Sequence, residues 1–487
     1  MATVGESPAA GQSSAGAHAR SDRKRVRRVI AEDNEWTLSN VPTLRQCILK
    51  AIIKNFGTRP LLRELNALDQ RFVLHYLPTD LPVEVIVAVI GYGKHEESYW
   101  KRCCRQLWPC CDVANHGGNY KRMYLEKHVA HYLETFLPEV REDPARMRRM
   151  QQLLSLCAEY VESLHIKQLL PPVKKVSGER TRKKRHARSK VVPLTDGKLG
   201  SAPDEEQDNG SASEEEDDLP DDEVKLDHFD FGAALKCLPR LKKLSVVYQV
   251  QNVGMNFDWS LFKFTRHDCR VLAKGALRCT QLTELRIAKS LLDDHQARVL
   301  AKHIKTHTAL QTLDLSFNKI GDPGGKAIVK LMDPNIPLRL TTLILADNKL
   351  NEEAANILAS MLERNVHMKK LSLRLNSIGD DKMGVVLKSL AVNRGLEEVC
   401  LAATGCGEHC TAPLREVLEL NKVLKKFDLS CNSFKTDHGK SIVESLASNP
   451  IITDLDLRLA NFDQETEYQV NQILKKNKID QGLIPQL

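Results

Sequence analysis

The chain has 487 residues, 42% hydrophobic and 28% charged, with a formal net charge of +8, which sets an expectation of two or three domains. Its most apolar run, VEVIVAVI (83–90), contains Glu84 and falls well short of the ~18 residues a membrane span needs. No apolar core follows the first basic residues, so no secretory signal is expected, and the thirteen cysteines read as reduced cytosolic thiols rather than a disulfide framework.

Residues 1–26 open with a Gly/Ala/Ser-rich stretch and run into the basic knot RSDRKRVRR (20–28), a composition that predicts disorder. An all-helical N-terminal domain is expected over 27–173. From Pro42 the apolar residues Leu44, Ile48, Ile52 and Phe56 fall on one helical face, and further helices are predicted at 61–77, 81–90, 119–137 and 145–169. This region holds Cys103, Cys104, Cys110, Cys111, His116, His128 and His131, side chains of the kind that ligate zinc. Because the cysteines come as two adjacent pairs, whose side chains point apart, no metal site is predicted. No third residue supports a Cys–His nucleophile either.

Residues 174–225 read as a disordered linker. It is first basic (KKVSGERTRKKRHARSK, 174–190), with RKKRHAR as a nuclear-localisation lookalike. It then carries twelve acids and no base over 204–223, leaving about +20 on the rest of the chain. A basic remainder suits an anionic partner, such as nucleic acid, an acidic protein surface or a tubulin tail.

Ordered sequence resumes at 226. LPRLKKLSVVYQV (238–250) looks like a degenerate first repeat, and GMNFDWSLFKF (254–264) like an insertion whose Phe257, Trp259, Phe262 and Phe264 seal the core end. Over 282–479 the pattern L-x-x-L-x-L-x-x-N-x-L recurs seven times, starting at 282, 310, 340, 368, 396, 424 and 452; 480–487 is a tail. This is the leucine-rich repeat signature. The fourth and sixth positions alternate as in a strand. Asn318, Asn348, Asn376 and Asn432 stand at the ninth, where a side-chain amide satisfies the turn, while Ser290, Thr404 and Ala460 depart from it. Asp294, Asp322, Asp380 and Thr436 are expected to cap the following helices. Asn365, Asn393, Asn421, Asn449 and Asn477 are expected to end them in left-handed C-caps.

The predicted fold is therefore an α/β leucine-rich-repeat solenoid, ribonuclease-inhibitor-like with ~28-residue repeats, preceded by an all-helical N-terminal domain. Its strands line the concave side, and that face is the candidate partner-binding surface. It offers Arg286, Asp314, Ile344, Asp428 and Asp456 in one column and Arg374 and Arg458 in the next. A third column holds Phe317, Asp347, Leu375 and Leu459, whose apolar members a solvated face does not favour together. No catalytic, cofactor or nucleotide motif stands out. The nearest phosphate-loop lookalike, GDPGGKA (321–327), lacks the first glycine and has Ala327 where a Ser or Thr is required.

Several stretches outside the repeats go further: RRVIAEDNEW (27–36), ESYWKRCC (97–104), HGGNYKRMYLEKH (116–128), GMNFDWSLF (254–262) and ETEY (465–468). Together they resemble the T-complex-associated testis-expressed protein family, the leucine-rich-repeat fifth subunit of the nexin–dynein regulatory complex. The resemblance covers about 27–173 and 226–479. It implies a non-catalytic subunit of the link between doublet microtubules in the axoneme of motile cilia and sperm flagella. It further implies other subunits of that complex as partners, with tubulin or dynein-associated proteins as further candidates, and neither nucleic acid nor membrane. Two rival readings stand beside it. In a Ran-activating-protein-like regulator of a small GTPase the acidic run would not precede the repeats as it does here. For a ribonuclease-inhibitor-like binder of a basic protein, this concave face is too mixed in charge.

Overall fold

In the computed structural model the described residues are 42–89, 96–138, 143–170, 228–256, 259–262 and 264–485. The predicted N-terminal segment 1–26, the charged linker 174–225 and the stretch RRVIAEDNEW lie outside them. The chain divides into two compact units, Met1–Leu107 and Trp108–Leu487.

The first unit is helical: α1 (Leu44–Lys54), α2 (Ala67–Tyr76), α3 (Val83–Val89) and α4 (Glu96–Leu107). Thr43 and Gln46 form a reciprocal capping box on α1, and the Asn66 side chain caps α2. Helix α4 carries ESYWKRCC, and its Tyr99, Trp100, Cys103 and Cys104 are all buried. The spacing i, i+1, i+4, i+5 is one helical face, so this stretch is core. Tyr99 donates its hydroxyl to the Pro78 carbonyl (2.9 Å), and Arg102 satisfies the carbonyls of Leu74 and Leu77 at the end of α2 (2.8 and 2.9 Å). Burial pushes the Cys103 thiol up from its ordinary pKa. On the predicted face of α1, Phe56 is buried but Leu44 and Ile48 are exposed.

The second unit begins with α5 (Tyr120–Glu134) and α6 (Pro144–Cys157) and then forms a nine-stranded parallel sheet in strict sequence order. The strands are β1 (Ser163–Ile166), β2 (Lys243–Val246), β3 (Glu284–Ile287), β4 (Thr312–Asp314), β5 (Thr342–Ile344), β6 (Lys370–Ser372), β7 (Glu398–Cys400), β8 (Lys426–Asp428) and β9 (Asp454–Asp456). Between them run α7 (Phe231–Leu235), α8 (Arg266–Arg278), α9 (Asp294–Ile304), α10 (Asp322–Val329), α11 (Glu352–Arg364), α12 (Asp380–Val392), α13 (Thr411–Leu420) and α14 (Gly439–Ala447). The 17-residue α15 (Gln464–Asp480) closes the end. Strand and helix alternate through seven repeats as the pattern predicts. The buried apolar residues at the first, fourth and sixth positions, such as Met368, Leu371 and Leu373, fill the space between sheet and helices.

Four expectations need correction. The helix predicted over 145–169 ends at Cys157, and residues 163–166 are a strand. That strand pairs in register with β2, Ser163 to Lys243 and Ile166 to Val246, so the degenerate repeat at 238–250 is the second of the sheet and not the first. The buried Val161, Leu164 and Ile166 occupy the repeat's first, fourth and sixth positions. The surrounding helical periodicity masked that short signal.

The caps also differ. Asp294, Asp322 and Asp380 do not cap their own helices, whose N-caps are Asp293, Gly321 and Gly379. Each reaches the next repeat instead. Asp294 Oδ1 accepts from Gly321 and Gly324 N–H (2.7 and 2.9 Å), and Asp322 Oδ1 from Asn351 N–H (2.8 Å). Asp380 takes Gly407, His409 and Cys410 N–H (2.7, 2.8 and 3.0 Å). Thr436 lies in a 3-10 turn and donates its hydroxyl to the Asn461 carbonyl. Stacked helix starts put one repeat's carboxylate over the next repeat's free N–H groups, so the orphan donors of a helix terminus are satisfied across the stack.

None of the asparagines expected to end helices is left-handed, and Asn477 lies inside α15. Asn365, Asn393 and Asn421 have φ of −86°, −63° and −76°, and all five of the series are buried. Asn393 donates its amide to the Leu362 and Asn365 carbonyls (2.6 and 3.0 Å) and accepts from Gly395 and Leu396 N–H (2.9 and 2.8 Å). Asn421 and Asn449 repeat the pattern. The amide binds one coil to the one before it, which extended backbone permits and a left-handed cap does not.

The left-handed residues sit elsewhere. Lys289, Phe317, Asp347, Leu375, Ala403, Cys431 and Leu459, the eighth position of every repeat, have φ between 52° and 59°. Such φ is uncommon for non-glycine residues. Here every repeat but the last re-imposes it through the same ladder bond: Phe317 N–H donates to Ala346 O (2.8 Å), Asp347 to Arg374 O (2.7 Å) and Leu375 to Ala402 O (2.9 Å).

Candidate functional site

The strand register shows which residues share one row of the sheet. Arg286, Asp314, Ile344, Ser372, Cys400, Asp428 and Asp456 are paired in one row across β3 to β9, as the sequence predicted. The degenerate repeat's strand β2 and the unpredicted β1 extend the row with Ser245 and His165. Half-burial, the larger cause, and Lys167 hold the His165 imidazole below its ordinary pKa.

Much of the row's charge is already paired. Arg286 Nε lies 3.1 Å from Asp314. Arg458 holds Asp456 through Nε (2.9 Å) and Nη2 (2.5 Å), which keeps the Asp456 carboxyl below the usual range. Asp428 accepts from the Ser430 amide and hydroxyl (3.0 and 2.7 Å) and from the Cys400 thiol (3.1 Å).

A second charged ladder escaped the sequence reading. Glu397 bridges Lys369 and Lys425 (3.0 and 2.9 Å), and Glu398 bridges Lys370 and Lys426 (2.9 Å each). Hydrogen bonds from the lysines, Lys425 and Lys426 foremost, lower both carboxyls. The signal was present as like residues 28 apart with alternating sign, at strand positions next to those chosen.

The apolar residues proposed for partner contact stand on the turn that leaves each strand. Phe317, Leu375 and Leu459 are 43%, 44% and 79% exposed. The structure does not bring them together. Asp347 separates Phe317 from Leu375, and Ala403 and Cys431 separate Leu375 from Leu459. At ~4.8 Å per strand they are spaced anchors rather than one patch. Lys289 Nζ lies 5.4 Å from the Phe317 ring centroid. Asp347 and Arg374 are exposed beside them.

Asp428, Asp456 and Arg458 do converge, in a cavity of about 750 Å³ at the C-terminal end of the sheet. There Lys478 of α15 binds Asp454 (2.6 Å), and both signs of charge line the walls.

The turn under the face is held by buried amides. Asn318 donates to the carbonyls of Ile287 and Leu315 (2.7 and 2.9 Å) and accepts from Ser290 and Leu292 N–H (3.0 and 3.1 Å). Asn348, Asn376 and Asn432 act likewise.

At the N-terminal end the stretch HGGNYKRMYLEKH does the same work with different chemistry. The buried Glu126 carboxylate accepts from Glu162 and Ser163 N–H (2.9 and 2.8 Å) at the start of β1, from Arg122 Nε (2.9 Å), and faces His116 Nδ1 (2.5 Å). Arg122 also binds Glu162 (2.8 Å), which Lys242 of the next coil holds at 2.9 Å. Of the candidate zinc ligands, His116 is thus engaged by a carboxylate, and His128 stacks on Tyr124 (5.9 Å). Among the described residues no group of three or more His, Cys, Asp or Glu side chains is placed to hold a metal. Of the insertion's aromatics, Phe264 is buried and lies 4.0 Å from the Tyr248 ring.

Comparison with known proteins agrees with this architecture. A family model described as leucine-rich repeat matches residues 306–329 and 364–381. Dynein regulatory complex subunit 5 of Macaca fascicularis is 38% identical over 308 residues, 63% of this chain and 54% of the relative. Its Homo sapiens counterpart is 37% identical over 314 residues, 64% and 56%, and that of Chlamydomonas reinhardtii 26% over 260 residues, 53% and 50%. The chain spans about half the length of these curated relatives. It is a leucine-rich-repeat protein similar to dynein regulatory complex subunit 5, as the motifs outside its repeats suggested.

Proposed function

We propose that this chain is a non-catalytic subunit of the axonemal nexin–dynein regulatory complex. In this reading it binds other subunits through the concave face of its repeat solenoid and through its helical domain, helps to link doublet microtubules, and regulates dynein-driven motility of cilia and sperm flagella. The observation that carries it is the 37–38% identity to curated subunits of that name over more than 300 residues. The geometry supports a binding role. Anchors Phe317, Leu375 and Leu459 stand exposed two and three coils apart, the first two on amides bonded to the next coil, beside the unburied charges Asp347 and Arg374. Among the described residues no helix is long and apolar enough to cross a membrane.

The test is fractionation of ciliated cells. The protein should stay with demembranated axonemes through a moderate salt wash, because apolar packing outlasts the screening of surface charge. It should leave when the complex is extracted. Phe317→Ser, Leu375→Ser and Leu459→Ser together should release it while thermal unfolding of the purified protein is unchanged. Wild-type protein in the detergent-soluble fraction would defeat the axonemal reading.

A further inference from the structure

The convex helix layer has one short member. Helix α7 spans five residues, between α6 with 14 and α8 with 13. It lies tight against α8 because Gly275 has no side chain: a Cβ there would stand 3.0 Å from Leu235 and 3.2 Å from the Phe231 carbonyl. The missing turns leave a groove of about 890 Å³ between α6, α7 and α8, room for roughly two turns of a helix ~10 Å across. Its lining includes the small or apolar Ala158, Ala233 and Val271 and the cations Lys236, Lys274 and Arg278, all three exposed. A second hollow shares Gln151 and Ser155 with it and adds the exposed Arg148. The one carboxylate in the lining, Asp230, accepts from Gly232 N–H (2.9 Å) and Ala233 N–H (3.3 Å) as the cap of α7.

We propose that this groove seats an acidic amphipathic helix of a partner protein, its carboxylates on Arg148, Lys236, Lys274 and Arg278 and its apolar side on the small-residue floor. Charge complementarity selects the sign of the partner. The surroundings select a helix: the groove is walled by helices whose backbone groups are already bonded, so an extended peptide would find no sheet edge, whereas a helix satisfies its own backbone. The acidic stretch 204–223 of this chain matches the charge but has no apolar residue from 204 to 218 besides Ala212, and so lacks the face that the floor requires. The groove is on the opposite side of the solenoid from the concave anchors, and the proposal stands apart from the complex membership argued above.

The probe is a synthetic helical peptide with leucine on one face and glutamate on the other, titrated into the full-length protein and followed by fluorescence anisotropy. A control peptide has the same composition in an order that destroys the apolar stripe. Saturable binding is expected, weakened at least about tenfold by the combined substitutions Lys236→Glu, Lys274→Glu and Arg278→Glu. A lysine-for-glutamate peptide should regain binding to that variant, which also shows that the variant is folded. Cys237, part of the groove lining, should be alkylated more slowly when the peptide is bound, read by peptide-resolved mass spectrometry. Equal binding of the control peptide would overturn the proposal in favour of unspecific charge attraction. So would undiminished binding to the charge-reversed variant. If the probe binds only after the acids of 204–223 are changed to amides, the groove belongs to the chain's own acidic run and the partner helix is overturned.

Discussion

The central repeats and the N-terminal end of the second unit face the same physical problem and solve it differently. Each coil leaves backbone N–H and C=O groups in the interior that water cannot reach, and each must be bonded or cost ~1–3 kcal/mol. From Asn318 to Asn432, with Thr404 as the one exception, and from Asn365 to Asn477 the solution is one amide per coil, reaching back one coil. Toward the N-terminus the residue type changes while the bonds stay. His307 takes the helix-end role, receiving Ala309 and Leu310 N–H on Nδ1 (3.2 and 3.1 Å) and contacting the Cys279 carbonyl through Nε2 (3.1 Å). The Ser290 hydroxyl takes Tyr248 N–H (3.0 Å). At the first coil Glu126 accepts Glu162 and Ser163 N–H from another helix altogether. A repeated solution can be read from sequence, and a unique one cannot.

The largest effect is expected where the unique solution is removed. Glu126→Ala strips a buried carboxylate from between Arg122 and His116 and orphans two backbone donors of β1. A buried ion pair broken from one side costs ~3–5 kcal/mol. Chemical denaturation should show that loss, and hydrogen exchange should show β1 opening ahead of β5 to β8. Equal exchange across the sheet would mean that the first coil is not held by Glu126.

Next comes the periodic core. Leu373 is fully buried, and its amide bonds the Cys400 carbonyl (2.9 Å). Leu373→Ala should cost ~2–5 kcal/mol in a denaturant titration. The transition should stay single, because a coil that cannot bury its own face transmits the loss to its neighbours.

Proteolysis sharpens the same comparison without changing a residue. Composition predicts cleavage within 174–223. A linker between two independent domains would let the pieces part. The register of β1 on β2, the Leu169 amide on the Gln249 carbonyl (3.1 Å) and the bridge from Glu162 to Lys242 instead tie the chain on one side of the cut to the chain on the other. The nicked chain should elute as one species in size-exclusion chromatography and separate only in denaturant. Two peaks under native conditions would contradict a continuous sheet.

These bonds also explain how much of the molecule was legible in its sequence. The seven strands, their register and the whole row from Arg286 to Asp456 were legible because each position recurs at a fixed interval with the same burial. The caps were misassigned because Asp294, Asp322 and Asp380 are at the right place in sequence for their own helices, and only stacking shows that the next coil's amides lie closer. Strand β1 was missed because four residues with one matching triplet cannot outvote a helical neighbourhood. The left-handed turn was invisible because Lys, Phe, Asp, Leu, Ala, Cys and Leu share no chemistry that asks for it; the ladder imposes it from outside.

The smallest effect belongs to the charged ladder, which has the regularity of the core without its burial. Lys369 is 3.0 Å from Glu397, but its side chain is 49% exposed, and Glu397 keeps Lys425 at 2.9 Å as a second partner. An exposed pair gives ~0–1 kcal/mol, and solvent screens it; with a remaining cation on the same carboxylate the loss is smaller still. Lys369→Ala should therefore shift stability by no more than about 0.5 kcal/mol, against several for Leu373→Ala four residues further along the same strand and turn. The carboxyl of Glu397 is held below its ordinary pKa by its lysines, so what the ladder contributes is present above the unfolded carboxylate pKa and is lost as pH falls through the lowered folded value. The difference between Lys369→Ala and the wild type should accordingly vanish in acid and in high salt. A Lys369→Ala loss equal to that of Leu373→Ala, or one that salt does not touch, would place Lys369 in the interior and shift the register of the whole sheet by one.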